Sequence, residues 1–289
     1  MAQAILYQAL VGVSQGMYVW LTSAGLTLIF GVLGVLNFAH GAFYMLGAYV
    51  AFFALRSLGL NFWAGLLLAP LAVAIAGAVA ERALVSRTYA LAHGYQLLLT
   101  FGLALIFDDL VKLVWGPVYQ SVPSPRFLRG AVWIAGQPFA RFNLFLVGVG
   151  VLVAGALWLF LHRTTWGKFI RAAAADRDMA AALGLNVRNI YTVVFAIACW
   201  LAALGGALSA VTQPASPGMG DAIIIQAFVV AVIGGLGNLL GAFVGSVLIG
   251  VLHALGVFFV PVFEQALIFL LMAAVFIWRP TGLFARAGA

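Results

Sequence analysis

The chain has 289 residues, 65% of them hydrophobic and only 7% charged; an ordinary soluble domain carries roughly a quarter charged residues, so water is not its main solvent. A formal charge of +7 does not mark a nucleic-acid binder, because the basic residues are scattered at the ends of apolar runs and form no patch. The apolar runs are continuous rather than alternating, which excludes a lipid-facing β-barrel and leaves an all-α, polytopic transmembrane helix bundle.

A spanning helix needs about 20 mostly apolar residues. Read between polar breaks, the sequence predicts helices near 5–29, 38–55, 61–80, 94–114, 142–161, 190–211, 222–236, 238–252 and 262–278. No charged n-region or cleavage site marks the first segment, so it reads as a retained helix. The count is nine, or eight if Gly234, Gly235, Gly237 and Asn238 mark a re-entrant break rather than a turn. No internal repeat is obvious. The lone Cys199 lies in an apolar run and reads as a small buried residue; one cysteine permits no disulfide and no cysteine metal cluster within the chain.

If the segment 162–190 is cytoplasmic, Arg82, Arg87, Arg163, Lys168, Arg171, Arg177, Arg188, Arg279 and Arg286 lie inside, and Arg56, Lys112, Arg126, Arg129 and Arg141 lie outside. Nine against five favours this orientation, with an external N-terminus and a cytoplasmic C-terminus. The external loop, about 115–141, holds Pro117, Pro123, Pro125 and Pro138, too many for a helix; it suits a docking surface.

The longest polar interruption is about 162–190. Residues 168–183 are nearly all good helix formers and Gly184 follows as a left-handed C-cap, which predicts one helix of about four turns at the membrane surface. Ile170, Ala173, Ala174, Ala181, Met179 and Leu183 supply small or apolar contacts, and Arg171, Asp176, Arg177 and Asp178 a polar rim. Such a helix either rests on lipid or inserts in a groove of a cytosolic partner.

Within the membrane, Asn37, His40 and Gly41 follow Gly31 and Gly34 at the junction of two apolar runs, which predicts an interrupted helix whose freed backbone groups need partners. Asn37 is a plausible cap of the next helix. Asn37 and His40 either brace a helix pair or touch solute or a gate, and the two roles are compatible; Tyr44 lies on the same segment. Gly41, Gly47 and Ala48 read as sites of close helix contact. Asp108 and Lys112 form an i, i+4 pair near one helix end. His253 and Glu264 read as wet residues flanking the last external loop.

Neither a zinc motif, nor a nucleophile with its base, nor a phosphate-binding loop ending in Lys-Ser/Thr is present. No catalytic residue, cofactor or metal site is therefore assigned. By composition alone, a stand-alone secondary carrier or channel for a small solute is the alternative to an ATP-driven permease.

The stretch Gly167-Lys-Phe-Ile-Arg-Ala-Ala-Ala-Ala-Asp-Arg-Asp-Met-Ala-Ala-Ala-Leu-Gly-Leu-Asn resembles the coupling-loop motif of the branched-chain amino acid type of ABC transporter permease. Gly34-Val-Leu-Asn-Phe-Ala-His-Gly-Ala-Phe-Tyr-Met-Leu-Gly-Ala-Tyr, Val232-Ile-Gly-Gly-Leu-Gly-Asn and Arg279-Pro-Thr-Gly-Leu-Phe are similar to that family in order and spacing, over about Leu21 to Phe284. The chain departs from the common pattern at Ala42 and Ala175, where the family usually has an acidic residue. The resemblance implies one permease domain spanning 1–289 in an inner membrane. It also implies cytosolic ATPase subunits, a second and different permease subunit, an external substrate-binding protein, and import of branched-chain or other hydrophobic amino acids. On this resemblance Arg171, Ala174, Asp176, Met179, Ala180, Leu183 and Gly184 would couple to the ATPase, while Asn37, His40, Gly41 and Tyr44 remain the candidate substrate pathway or gate.

Overall fold

A computed structural model describes residues 1–134 and 136–284; Arg286, counted among the inner cations, lies outside the described residues. Among the described residues, nine apolar helices occupy the nine predicted segments: α1 (Ala2–Leu33), α2 (His40–Arg56), α3 (Phe62–Ala83), α4 (His93–Trp115), α5 (Arg141–Arg163), α8 (Val187–Thr212), α9 (Met219–Gly234), α10 (Leu239–Phe259) and α11 (Glu264–Trp278). Two short helices, α6 (Thr165–Ala175) and α7 (Arg177–Ala182), lie between α5 and α8. Six helical segments among the described residues are long and apolar enough to cross a membrane, whereas α9 is apolar but short. In hydrocarbon every backbone amide must be paired internally, so these runs become helices wherever they meet lipid.

The proline-rich loop is indeed not helical. It folds as a small antiparallel hairpin, β1 (Ala131–Ile134) with β2 (Gln137–Ala140), and is pinned to the bundle where Gln120 and Ala215 exchange backbone hydrogen bonds of 2.9 and 2.6 Å. The doubtful stretch 234–238 is a tight turn between two helices. Gly235 and Gly237 take φ of 95° and 84°, and the Asn238 side chain caps α10 by accepting from Gly241 N at 3.0 Å. Its amide also donates to Phe284 O at 2.6 Å, holding the C-terminal segment against the turn.

Helices α1 and α8 are buried over most of their length and form the centre. They run antiparallel: Gly25 lies against Ala198, Gly205 against Tyr18, and the Gln213 amide donates to the Tyr18 hydroxyl at 2.9 Å. Around this pair, packing repeats with reversed chain direction. α1 packs on α10 as α8 packs on α3; α2 lies against α8 and α3 as α9 lies against α1 and α10; α4 touches α2 as α11 touches α9. The two four-helix sets thus form an inverted structural repeat. It escapes the sequence because packing here demands only small residues at certain positions, not matching side chains.

Close approach is the means of cohesion, since lipid tails are as apolar as leucine and supply no hydrophobic drive between helices. A Cβ on Gly47 would collide with the Ala203 backbone, one on Gly206 with that of Tyr44, and one on Gly77 with the Cys199 side chain. Cys199 is fully buried, as its sequence context implied. Gly47→Leu is therefore expected to force α2 from α8 at a cost of about 1–3 kcal/mol or more. Gly102→Ala, where nothing lies within 4 Å of an added Cβ, is expected to leave the folded yield unchanged. Thermal unfolding of the detergent-solubilised protein, followed by size exclusion, separates the two.

Candidate functional site

Two regions carry the polar chemistry: the helix break before α2, and the α6–α7 segment with the helix ends beneath it. At the break, Gly34 ends α1 in a left-handed turn with φ 68°, and α2 begins at His40. Asn37 does not cap α2; the N-cap position is Ala39, without a side-chain bond. Asn37 contributes its carbonyl, which accepts from His40 N at 3.2 Å. Its side chain is fully buried, with neither amide atom hydrogen-bonded. His40, also fully buried, places Nε2 2.9 Å from Thr22 O on α1 and leaves Nδ1 unpartnered. Because the carbonyl only accepts, Nε2 carries the proton in this pairing.

Gly41 is pressed against Gly220 at the start of α9, where a Cβ on either residue would meet the other's backbone. The N-termini of two broken helices therefore meet here, with their positive dipole ends converging. The α9 terminus is tethered from a third helix, since Gly218 N donates to Asp108 Oδ1 at 2.6 Å. Asp108 pairs with Lys112 at 2.5 Å, as the i, i+4 spacing implied, and Asp109 lies 3.1 Å from the same ammonium. Asp108 is thus more than half of a surface ion pair. Its bond to the 213–218 loop could not be read from spacing within α4.

Of the four pathway candidates, Tyr44 lines a chamber of about 290 Å³ bounded by α1, α2, α9, α10 and the 213–218 loop. His253 lies on the same chamber, inside α10 rather than in a wet loop. Its Nδ1 is shielded from solvent and has no hydrogen-bond partner, because α10 runs seven residues past the predicted end at 252.

The predicted coupling helix is two helices. Asp176 breaks it in an extended conformation, with φ −156° and ψ 108°, and caps α7 by accepting from Met179 N at 2.9 Å. Runs of alanine favour one helix, but an aspartate makes a better N-cap than an interior residue. Gly184, with φ 85°, ends α7 as expected. The seven candidates then separate. Arg171 and Ala174, on α6, border an apolar cleft of about 880 Å³ between α1, α5, α10 and α11. Met179 and Leu183 project from α7, 58% and 75% exposed, whereas Ala180 is 2% exposed. Ala180 faces this chain's own core, as do Ala173 and Ile170 on α6, so it is a foundation of the segment and not a contact surface. Gly167 anchors α6 with its Cα against the Phe160 and Leu161 carbonyls.

Sequence reasoning missed the groups beneath this segment. Glu81, near the end of α3, is fully buried. Its Oε1 accepts from the Tyr89 hydroxyl at 2.6 Å and its Oε2 from the Thr192 hydroxyl at 2.7 Å. The Thr192 oxygen in turn accepts from Arg82 Nε at 3.2 Å, and Arg82 Nη2 donates to Asn189 Oδ1 at 2.5 Å. Burial first, then the adjoining Glu81 carboxylate, push the Tyr89 phenol well above its usual range, so it stays a protonated donor. Tyr89 stands edge-on to Tyr191 at 5.4 Å, and the Arg177 guanidinium lies 5.8 Å over the Tyr191 ring. A continuous set of polar and aromatic contacts thus joins α3 and α8 to the first residue of α7. The missed signal was the single acidic residue at a helix end beside Arg82, surrounded by apolar sequence.

The profile of a protein family described as branched-chain amino acid transport system / permease component matches residues 8–277. The chain belongs to this family. The permease protein BraD of a high-affinity branched-chain amino acid transport system in Pseudomonas aeruginosa is 31% identical, over 97% of this chain and 96% of its own. The corresponding permease protein LivH of Escherichia coli K12 is 28% identical over 99% and 98%. A solved structure, PsaBC from Streptococcus pneumoniae in complex with Fab, aligns with TM-score 0.49 and 15% identity over 93% of this chain and 89% of that one.

In this permease Glu81→Ala strips the Tyr89 hydroxyl of its acceptor and leaves the Thr192 hydroxyl only the Arg188 carbonyl at 3.1 Å; a buried hydroxyl left unpaired costs about 1–3 kcal/mol. Glu81→Gln keeps one acceptor oxygen and is expected to recover more than half of the lost thermal stability. Equal loss in both variants would show that Glu81 acts through its charge.

Proposed function

We propose that this chain is a translocating subunit of an ATP-driven importer in an inner membrane, and that its cargo is branched-chain or other hydrophobic amino acids. It works with cytosolic ATPase subunits, a second, non-identical permease subunit and an external substrate-binding protein. The 162–190 segment and the C-terminus face the cytoplasm and the hairpin loop faces outside, as the distribution of cations supports. Family membership over nearly the whole chain supports transport of this class. The observation that carries the coupling role is the build of α7. Its inner side is fixed by Ala180 in the core, its start by Asp176, and its outer side offers Met179 and Leu183 with few polar atoms between them.

Such a projection fits a groove on a cytosolic partner through apolar anchors at helical spacing. Closure of an ATPase dimer would push α6–α7 as a rigid lever, and the contacts around Glu81 and Tyr191 would pass the displacement to α3 and α8. At the opposite end of the path, the Gly41–Gly220 junction with Asn37 and His40 is the gate, since the α2 and α9 termini must part for a solute to pass between them.

A bulky residue at Ala180 would damage the segment itself, so the informative change is Leu183→Asp on the exposed side. Loss of one apolar anchor costs about 2 kcal/mol, roughly thirtyfold in affinity for the ATPase. ATP-dependent uptake of labelled leucine into vesicles holding the complete complex should collapse, with the variant still inserted at normal levels. Uptake by this chain alone, without ATP, would replace the importer reading with that of a stand-alone carrier. Asn37→Ala breaks no side-chain hydrogen bond, so the complex should assemble normally while uptake falls; unchanged uptake would remove Asn37 from the gate.

A further inference from the structure

The chamber that Tyr44 lines is enclosed within one chain. Its exposed mouth is formed by Gln213, Pro214 and Ala222, at the α8 end that the hairpin loop grips through Ala215. Its inner wall holds Tyr18 and Tyr44, 6% and 2% exposed. Tyr44 and Met219 border it within one turn of the Gly41–Gly220 contact, so the chamber ends at the closed junction of α2 with α9.

The lining is specific in its chemistry. Gln15, Tyr18, Tyr44, Gln213, Gln226 and His253 supply amides, hydroxyls and an imidazole, and no carboxylate, ammonium or guanidinium group faces the space. Val19, Ile223 and Ile249 supply an apolar wall. Gln15 Oε1 and His253 Nδ1 are sealed from solvent without any partner. Burying such atoms unpaired is costly, and a rotation of either side chain toward the chamber would pair it with a bound molecule. The Tyr18 hydroxyl accepts from the Gln213 amide at 2.9 Å and keeps its own proton to donate to an anionic group. The volume of about 290 Å³ is close to the lower end of small-ligand pockets, roughly 300–1,000 Å³.

We propose that this chamber holds the transported solute within this single chain, ahead of the α2–α9 junction. It selects solutes of zero net charge that have hydrogen-bonding groups at one end and an apolar part at the other. A neutral α-amino acid meets each requirement: carboxylate toward the Tyr18 hydroxyl and the His253 imidazole, ammonium toward the Gln15 and Gln226 amide oxygens, side chain against Val19, Ile223 and Ile249. A cationic or anionic side chain would enter a space with no charge to balance it. The inference rests on the importer reading above and adds where the cargo sits.

The single native cysteine, Cys199, is fully buried, which makes thiol protection a clean test. In a Cys199→Ser background, Ser216→Cys and Ala222→Cys place thiols on the chamber, and Val118→Cys places one on the exposed loop, away from it. Modification by a small methanethiosulfonate is followed in the purified complete complex, with and without L-leucine. At leucine about ten times its Kd, mass action predicts roughly tenfold slower labelling of both chamber thiols and no change at position 118; L-lysine and L-glutamate at the same concentration should protect neither. Leucine transport by the unmodified complex without protection of either chamber thiol would overturn the chamber assignment, placing the cargo elsewhere, for example between subunits. Equal protection by lysine would overturn the neutral selectivity. Absence of leucine transport in the unmodified complex would overturn the importer reading and the inference with it.

Discussion

The antiparallel contact of α1 with α8 is the constraint on which the other elements depend. Both helices are buried along most of their length, and hydrocarbon offers neither water for stray amides nor a hydrophobic drive between helices. Cohesion must come from close backbone approach and from hydrogen bonds that cross the seam. The seam has both: Gly25 and Gly205 let the backbones near one another, and Tyr18 with Gln213 ties the far end. Once this pair is set, α10 and α3 take equivalent places on either side, and α2 and α9 fill the two remaining grooves.

That arrangement explains why the helix break lies where it does. α2 and α9 are short because each starts inside the bundle, where the other's N-terminus already is. Two glycines allow their backbones to touch, and His40 reaches across to a carbonyl of α1. The result is a site of unpaired polar atoms, Asn37 foremost, enclosed by well-packed helices. Buried polar groups in membrane proteins are tolerated where function needs them, and here they stand between a polar chamber and the opposite end of the bundle.

The α6–α7 segment shows the reverse arrangement, with apolar side chains outside and fixed foundations inside. Ile170, Ala173 and Ala180 fasten it to the core, while Arg177, Tyr191 and Tyr89 connect its break to the buried Glu81. A lever must be stiff where it joins the body and accessible where it is pushed. The division of the seven coupling candidates into core, cap, cleft and projection fits the proposal that this segment is such a lever.

The sequence by itself determined the approximate bounds of the apolar helices, the non-helical loop before α5, the left-handed stop at Gly184 and the close contacts of Gly41 and Gly47, and left the number of those helices at eight or nine. Each of these is local: a run of apolar residues, a concentration of proline, or a residue without a side chain states its own conformational preference. It also made the α6–α7 region legible as a special element, though not its break, because helix propensity and capping preference compete at Asp176 and the difference is small. Only the tertiary structure decided that Ala180 faces inward, that Asn37 caps nothing, that His253 borders a chamber, and that Glu81 is held by residues from distant parts of the chain. Those facts depend on which face of one helix meets which face of another, and that choice is made by packing between segments that can lie more than two hundred residues apart, where no local pattern records it.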